Sequence, residues 1–301
     1  MPSPTPARKP AWVVPQPFDS GGEHAVRRLL RTLGLSTVCE SARCPNRGEC
    51  FASGTATFLI LGDVCTRRCG FCAIGKGVPG PPDPDEPAAI AAAVLQLGLA
   101  YVVVTSVTRD DLDDGGAVQF AATVRAIAAA GEHPPKPGEP GAGVSRGVLV
   151  EVLVPDFAPK PGALETVLAA APAVLNHNLE TVPRLYAQVR PRAEYSRSLA
   201  LLRRARELAP AIPTKSGLMV GFGEEPEEIV AVMRDLAEAG VAALTIGQYL
   251  QPGREHLPVA RYWRPEEFVA LGAAGRAAGI AQVTAGPLVR SSYRARLLFG
   301  S

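Results

Sequence analysis

From residue 57 onward, short strand-like apolar runs alternate with stretches of helical periodicity, and this alternation restricts the fold more than any other feature of the chain. The runs lie at 57–61 (TFLIL), 101–107 (YVVVTSV), 147–154 (GVLVEVLV), 173–175, 216–220 and 243–246. The helical stretches lie at 86–97, 117–130, 164–170, 195–208, 226–239 and 265–278. Strand and helix in regular turn build a parallel sheet from βα units. Gly98, Gly131, Gly240 and Gly279 stand where four of the helices should stop, because glycine tolerates the left-handed geometry of a C-cap. Six such units predict an α/β fold, a partial (β/α)6 TIM-like barrel with N-terminal and C-terminal extensions.

Polar residues gather just past the strands: Thr108-Arg109-Asp110-Asp111, Pro155-Asp156, Asn176-His177-Asn178, Gly223-Glu224-Glu225 and Gln248-Tyr249. In a βα barrel these positions form the catalytic mouth. One polar residue after a strand is ordinarily a loop or a cap, but five successive occurrences point to a site. The Pro- and Gly-rich stretch 132–146 falls between a helix and a strand, on the face away from that mouth, and reads as a surface insertion. Residues 1–50 hold a Pro-rich start and a basic helix candidate at 23–33.

The composition, 47% hydrophobic and 20% charged over 301 residues, excludes a disordered or fibrous chain. A net charge of +2 does not by itself imply nucleic acid or an acidic membrane as partner. Apolar stretches fall short of the roughly 18–20 residues that span a bilayer. Prolines interrupt the start of the chain where a signal peptide needs an apolar core, so the expected compartment is the reducing cytoplasm.

In that setting the cysteines carry the most information, because all six lie between Cys39 and Cys72. A cytosolic chain of this size does not need disulfides, which leaves metal or redox chemistry. Cys65, Cys69 and Cys72 have the spacing C-x3-C-x2-C directly after the first strand. Three thiolates on one tight loop can hold three irons of a 4Fe-4S cubane and leave the fourth iron open to a substrate. A closed zinc site asks for four ligands and usually takes them as paired knuckles. Cys39, Cys44 and Cys50, spaced C-x4-C-x5-C upstream of the barrel, form a second triplet.

A C-x3-C-x-Phe-C loop after the first strand of a βα barrel resembles the radical S-adenosylmethionine (SAM) superfamily. CESARCPNRGECF with the terminal Arg290-Ser291-Ser292-Tyr293 resembles, more narrowly, the lipoyl synthases. So do TSVTRDDLDDGGA, EVLVPDF, NHNLETVPRLY, TKSGLMVGFGE and QYLQPGREHLPVARYWRPEEF, so that nearly the whole chain from Trp12 to Arg296 is covered. The resemblance implies two 4Fe-4S clusters and SAM. One cluster, on Cys65, Cys69 and Cys72, would cleave SAM to a 5′-deoxyadenosyl radical. The other, on Cys39, Cys44, Cys50 and a serine oxygen, Ser292 ahead of Ser291, would be consumed as the source of two sulfur atoms. These enter carbons 6 and 8 of a protein-bound octanoyl chain. Phe71 would pack near the adenine, Thr105, Ser106 and Arg109 would line the mouth, and Asn178 and Glu180 would lie near SAM. Lys215 and Arg197 would meet carboxylate or ribose oxygens. For each such residue a strand-end salt bridge, such as Arg109 with Asp110 or Asp111, is the competing role, and His177 is expected to be scaffold. Arg43, Arg47, Arg67 and Arg68 would offset the negative charge of the clusters.

The resemblance further implies three parts: an extension over 1–50 with the auxiliary cysteines, a core barrel over 51–281 and a terminal segment over 282–301. Its partners would be octanoylated lipoyl-carrier domains, namely the glycine cleavage H protein and the acyltransferase subunits of 2-oxoacid dehydrogenases. A reductant such as flavodoxin or ferredoxin and iron–sulfur assembly proteins would complete the set, with no nucleic acid and no membrane. The chain departs from the family pattern at Gly70, where Pro is usual, at Ala73 in place of Asp, at Ala158-Pro159 in place of Arg-Gly, and at Arg294 in place of His. Two other classes compete: a methylthiotransferase, which usually ends in an RNA-binding β-barrel, and a metal-stabilised nucleic-acid binder. Iron and acid-labile sulfide analysis after anaerobic reconstitution should find about eight of each per chain, four for each cubane. One or two zinc ions without sulfide would overturn the two-cluster expectation.

Overall fold

A computed structural model describes residues 9–14, 21–41, 44, 46, 49–50, 55–132 and 147–292. The strands are β1 (Ser36–Thr37), β2 (Thr55–Ile60), β3 (Val64–Cys65), β4 (Gly75–Lys76), β5 (Tyr101–Ser106), β6 (Leu149–Leu153), β7 (Val174–Asn176), β8 (Thr214–Val220), β9 (Ala243–Gln248) and β10 (Gln282–Gly286). The main helices are α1 (Gly21–Thr32), α2 (Glu86–Gln96), α3 (Ala117–Glu132), α4 (Ala163–Leu168), α5 (Tyr195–Leu208), α6 (Pro226–Glu238) and α7 (Pro265–Ala277). One sheet runs in the order β1-β2-β5-β6-β7-β8-β9-β10, with β3 and β4 as a separate ribbon. From β2 to β10 every neighbouring pair is parallel, and only β1 runs against its neighbour. The sheet is therefore an open barrel of βα units, as the alternation predicts.

The six expected strands are present, with boundaries shifted by at most three residues. The sheet continues past residue 281, because Gln282–Gly286 pairs in register with Ala243–Gly247. Gly98, Gly240 and Gly279 take φ values of 61°, 76° and 103°, the left-handed geometry expected of a helix stop. Gly131 does not end its helix, since α3 runs on to Glu132. A glycine inside a helix costs only about 1 kcal/mol, and burial of Phe120, Val124 and Ile127 on the same helix outweighs it. The 133–146 part of the expected insertion lies outside the described residues.

Side-chain alternation along each strand divides the core. Val102, Val104, Val150 and Val152 join Phe58, Ile60, Ile90, Phe120 and Val124 in an apolar layer between sheet and helices. Leu218, Val220, Leu244 and Ile246 do the same with Val232, Met233, Leu236 and Phe268. Tyr101 and Val103 form a separate cluster with Leu153 on the inner face.

A fully buried ion pair stands among these inner residues. Lys215 Nζ lies 2.9 Å and 3.0 Å from the two carboxylate oxygens of Glu151. The same carboxylate accepts from the Tyr101 hydroxyl at 2.7 Å and from Asn176 Nδ2 at 2.8 Å. β5, β6, β7 and β8 are thus tied across the barrel interior. Removing one partner of such a pair leaves an uncompensated buried charge, so Lys215→Met should lower unfolding stability by about 3–5 kcal/mol. Urea denaturation of the reconstituted protein measures this, and adding Glu151→Gln should restore part of the loss, because the amide needs no counter-charge. An unchanged midpoint in Lys215→Met would show that the pair does not hold the interior.

Candidate functional site

The chain leaves β2 at the mouth end of the sheet and enters the cysteine loop, which β3 and β4 close at its base through Val64↔Gly75 and Cys65↔Lys76. Surrounding segments hold the backbone of this loop. Thr66 N–H donates to Thr108 O at 3.1 Å, Gly70 N–H donates to Val189 O at 2.9 Å, and Leu257 N–H donates to Gly70 O at 3.0 Å. A proline in place of Gly70 would have no N–H for Val189, so the departure from the family pattern has a local use here. Lys76 Nζ and His256 Nε2 both donate to Cys72 O, at 2.5 Å and 3.0 Å.

Arg67, inside the same loop, is buried and forked twice. Its Nε and Nη2 reach Asp110 at 2.9 Å and 2.8 Å, and its Nη1 and Nη2 reach Asp156 at 2.9 Å and 2.7 Å. Asp110 follows β5 and Asp156 follows β6, so one guanidinium locks the cysteine loop onto two neighbouring strand ends. Arg67 therefore corrects the expectation of a cluster counter-charge, since its own charge is already met by two carboxylates. Arg68 is exposed, and Arg43 and Arg47 lie outside the described residues.

None of the six cysteines is joined in a disulfide. Burial pushes the Cys69 thiol up to about 11, against the pull of Arg190, and also raises Cys72. Cys39 is pushed up to about 12 by burial, with Cys44 adding to the shift. Such thiols stay protonated near neutral pH, so metal binding must displace their protons. Among the described residues no three His, Cys, Asp or Glu side chains converge as a single metal ion requires. A cubane asks for a different arrangement, in which each thiolate holds its own iron. Three free thiols on one immobilised loop fit that donor set.

The mouth residues divide into two groups. Ser106 Oγ, Asn178 Oδ1 and Arg190 Nε are buried without a hydrogen-bond partner. Leaving each such atom unpaired costs about 1–3 kcal/mol, and a ligand with amino, carboxylate and hydroxyl groups would relieve that cost. Asn178 Nδ2 donates to Glu180 at 3.0 Å. Glu180 takes a φ of 68°, and burial raises its pKa against the opposing charges of Arg190 and Arg290. Phe71 lies 6.4 Å from Phe222, which stacks at 4.2 Å on Tyr249.

The second group is committed within the protein. Thr105 Oγ1 donates to Leu153 O at 2.8 Å. Arg109 is buried against Asp111 at 2.8 Å and donates to Leu61 O and Gly80 O, which is the strand-end ion pair. Arg197 meets Glu194 at 2.5 Å and Asp156 at 3.6 Å. Lys215 corrects the expectation of a carboxylate or ribose contact, because its observed partner is Glu151 in the barrel interior. His177 is scaffold: Nδ1 donates to Val154 O at 2.8 Å and Nε2 accepts from Ser198 Oγ at 3.0 Å. Its pKa is brought down to about 4 by burial.

Arg190, absent from the sequence reading, donates to Asn178 O and Leu179 O at 2.9 Å and 3.1 Å and lies 5.5 Å from the Tyr186 ring centre. It follows a four-residue helix, where no recognisable spacing marks it.

The segment with Cys39, Cys44 and Cys50 adjoins the chain around Leu288. Cys39 is buried in the short helix Val38–Ser41, Cys44 N–H donates to Cys39 O, and Cys50 N–H donates to Asn46 O. Asn46 Nδ2 then donates to Leu288 O at 2.6 Å, across 242 positions. Gly247 admits the same terminal segment to the barrel, since a Cβ there would stand 2.0 Å from Val289 O and 3.2 Å from Arg290 Nη1. Burial lowers the Arg290 pKa, and both Cys44 and Glu180 oppose that shift. Its guanidinium enters the barrel beside Gly247 and donates to Val289 O at 2.7 Å. Ser291 and Ser292 follow in a half-buried turn.

The profile of the Radical SAM superfamily matches residues 59–236. Among solved structures, Streptococcus suis SuiB bound to S-adenosylmethionine superposes with a TM-score of 0.55 at 11% identity, over 89% of this chain and 62% of that one. HydG, a maturase of the [FeFe]-hydrogenase, superposes at 0.56 with 14% identity, over 76% and 56%. These likenesses speak for the fold. The lipoyl synthase of Rubrobacter xylanophilus is 53% identical over 95% of this chain and 85% of its own. That of Caldanaerobacter subterraneus subsp. tengcongensis is 51% identical over 96% of each. Such relatives favour lipoyl synthase over the methylthiotransferase alternative. On this identity, kept along almost the full length of both chains, the chain belongs to the lipoyl synthase family of the radical SAM superfamily.

Proposed function

We propose that this chain is a radical SAM sulfurtransferase that inserts two sulfur atoms, at carbons 6 and 8, into a protein-bound octanoyl-lysine to form the lipoyl group. The family's cofactors are 4Fe-4S clusters and SAM, which supply a 5′-deoxyadenosyl radical for each C–H bond and the sulfide that replaces it. Cys65, Cys69 and Cys72 would hold the radical-generating cluster; Cys39, Cys44, Cys50 and Ser292 would hold the auxiliary one. What carries this reading is the identity with lipoyl synthases along almost the full length of both chains, together with the bond from Asn46, between Cys44 and Cys50, to Leu288 of the terminal segment.

The chain's own groups have distinct tasks in this scheme. Arg67 fixes the cysteine loop against β5 and β6. Arg190 sets a cation beside Cys69, where the cluster and its thiolates place negative charge. The unpaired polar atoms of Ser106, Asn178 and Arg190, together with Glu180, would receive the amino, carboxylate and ribose groups of SAM, and Phe71 would cover its adenine. Thr105 would shape the mouth, while Arg109, Arg197 and Lys215 would act through the walls they brace. Ser292 would bind iron through oxygen, a harder donor than thiolate and one more readily protonated away. Release of that bond would open the auxiliary site where sulfur must leave.

The same reading gives the octanoylated H protein and the acyltransferase subunits as carriers, with flavodoxin or ferredoxin as reductant and iron–sulfur assembly proteins as suppliers, in the cytoplasm. It also divides the chain into an auxiliary extension over 1–50, a barrel core and a terminal serine segment. Among the described residues no helix is long and apolar enough to cross a membrane.

Replacing Cys65, Cys69 or Cys72 by Ala should abolish deoxyadenosine formation, and replacing Cys39, Cys44 or Cys50 should leave some of it while eliminating lipoyl product. Product from a Cys44→Ala enzyme would refute the donor role of that triplet. Arg67→Ala leaves the buried Asp156 with Arg197 at 3.6 Å as its cation and the Ala158 N–H at 3.4 Å, an effect of about 3–5 kcal/mol by the usual cost of breaking such pairs. Its iron content should fall by up to half, at the SAM-binding cluster first, as read by electron paramagnetic resonance; full occupancy with wild-type spectra would remove Arg67 from this role. Ser292→Cys should hold its cluster more firmly while turnover drops, because thiolate is the softer ligand. Wild-type Mössbauer spectra and product yields in both Ser292→Cys and Ser292→Ala would assign the fourth ligand elsewhere.

A further inference from the structure

α1 packs Val26 and Leu30 against the core, with Leu33 just beyond its end. The opposite face carries His24, Arg27, Arg28 and Arg31, whose i, i+3, i+4, i+7 spacing makes one helical stripe. With Thr32 these side chains line an open hollow of about 450 Å³. Arg27 Nε is paired with Glu40 at 2.7 Å. Arg28 and Arg31 are exposed, and among the described residues no carboxylate pairs with either.

The C-terminal end of α1 reaches the sheet edge at its mouth end. β1, which follows α1 after a short turn, is antiparallel to β2 and pairs Ser36 with Leu59, one residue before β2 ends. The chain thus passes from α1 to the sheet edge at the end where the strands deliver the site. The Arg27–Glu40 pair fastens the helix to the residue next to Cys39, in the auxiliary triplet. If the substrate is a protein-bound octanoyl chain, a whole folded protein must come to this end, and the inference rests on that reading. Two unpaired guanidiniums match surface carboxylates, which they can hold bidentately. They are too few for the phosphate-by-phosphate neutralisation that binds nucleic acid, on a chain whose net charge is only +2.

We propose that Arg28 and Arg31 dock an acidic face of the octanoyl-bearing carrier protein on the barrel rim, beside the auxiliary cysteines. Calorimetric binding of octanoylated glycine cleavage H protein to the reconstituted enzyme tests this. Sulfur insertion into that protein and into a short octanoyl-lysine peptide without acidic residues is measured alongside. In Arg28→Glu/Arg31→Glu, Kd and KM for the H protein should rise about tenfold at low salt, with peptide turnover unchanged. Arg28→Lys/Arg31→Lys should bind nearly as wild type, and added salt should weaken wild-type binding. Equal H-protein affinity in wild type and the charge-reversed enzyme overturns the proposal. Parallel loss of peptide turnover also overturns it, as the sign of a structural fault. If the reversal instead abolished binding of a single-stranded oligonucleotide and left H-protein affinity intact, the stripe would belong to nucleic acid. Kd is read without turnover, so a wild-type enzyme that bound the H protein through the stripe but formed no lipoyl product would count against the proposed activity alone.

Discussion

The loop that carries Cys65, Cys69 and Cys72 has no apolar core of its own, and its position depends on Arg67. The guanidinium is planar and offers five donors in a fixed fork, so it can satisfy Asp110 and Asp156 together and align two strand ends with the loop. A lysine would bring the same charge without that geometry. Taking three charged groups out of water is costly and is repaid only when every donor and acceptor is matched. The match here is close to complete, and it makes the cysteine loop an extension of the sheet.

The barrel interior uses the same principle one layer down. Lys215 and Glu151 cancel each other's charge, and Tyr101 and Asn176 fill further acceptor sites on the carboxylate. An open barrel with polar inner residues gains its hydrophobic stabilisation from the outer face, where helices cover the strands. The inner face is ordered by directional contacts. That division leaves the mouth free to hold unpaired polar atoms such as Ser106 Oγ and Asn178 Oδ1, since the surrounding framework does not depend on them.

These contacts explain which features could be read from the sequence. The strands and helices of the core were legible because apolar periodicity is local, and Tyr195–Leu208 was located to the residue. β10 was not legible: QVTAG is small and half-exposed, and its identity as a strand comes from the edge of β9. The cysteine triplets stood out by spacing. The charged residues did not, because partners are chosen in space: Arg67 finds Asp110 and Asp156 at 43 and 89 positions along the chain, and Lys215 finds Glu151 at 64. Arginines near cysteines suggest counter-ions, and the family resemblance suggests a ligand contact for Lys215, until the competing carboxylates are seen.

The two triplets are supported in different ways, and the difference bears on how a single mouth would serve the two proposed chemistries. The loop with Cys65, Cys69 and Cys72 is braced by strand ends of the core through Arg67 and its backbone bonds to Thr108 and Val189. The segment with Cys39, Cys44 and Cys50 instead leans on the terminal segment through Asn46 and Leu288, and that segment enters the barrel only because Gly247 has no side chain. A displacement of the terminal residues therefore shifts Arg290, Ser291, Ser292 and the partner of Asn46 together, while the Arg67 fork and the Lys215–Glu151 pair keep their partners. On the proposed roles, a site that gives up atoms would benefit from this separation. Its scaffold could yield at the terminal segment without disturbing the part of the mouth that, on the proposed roles, would generate the radical.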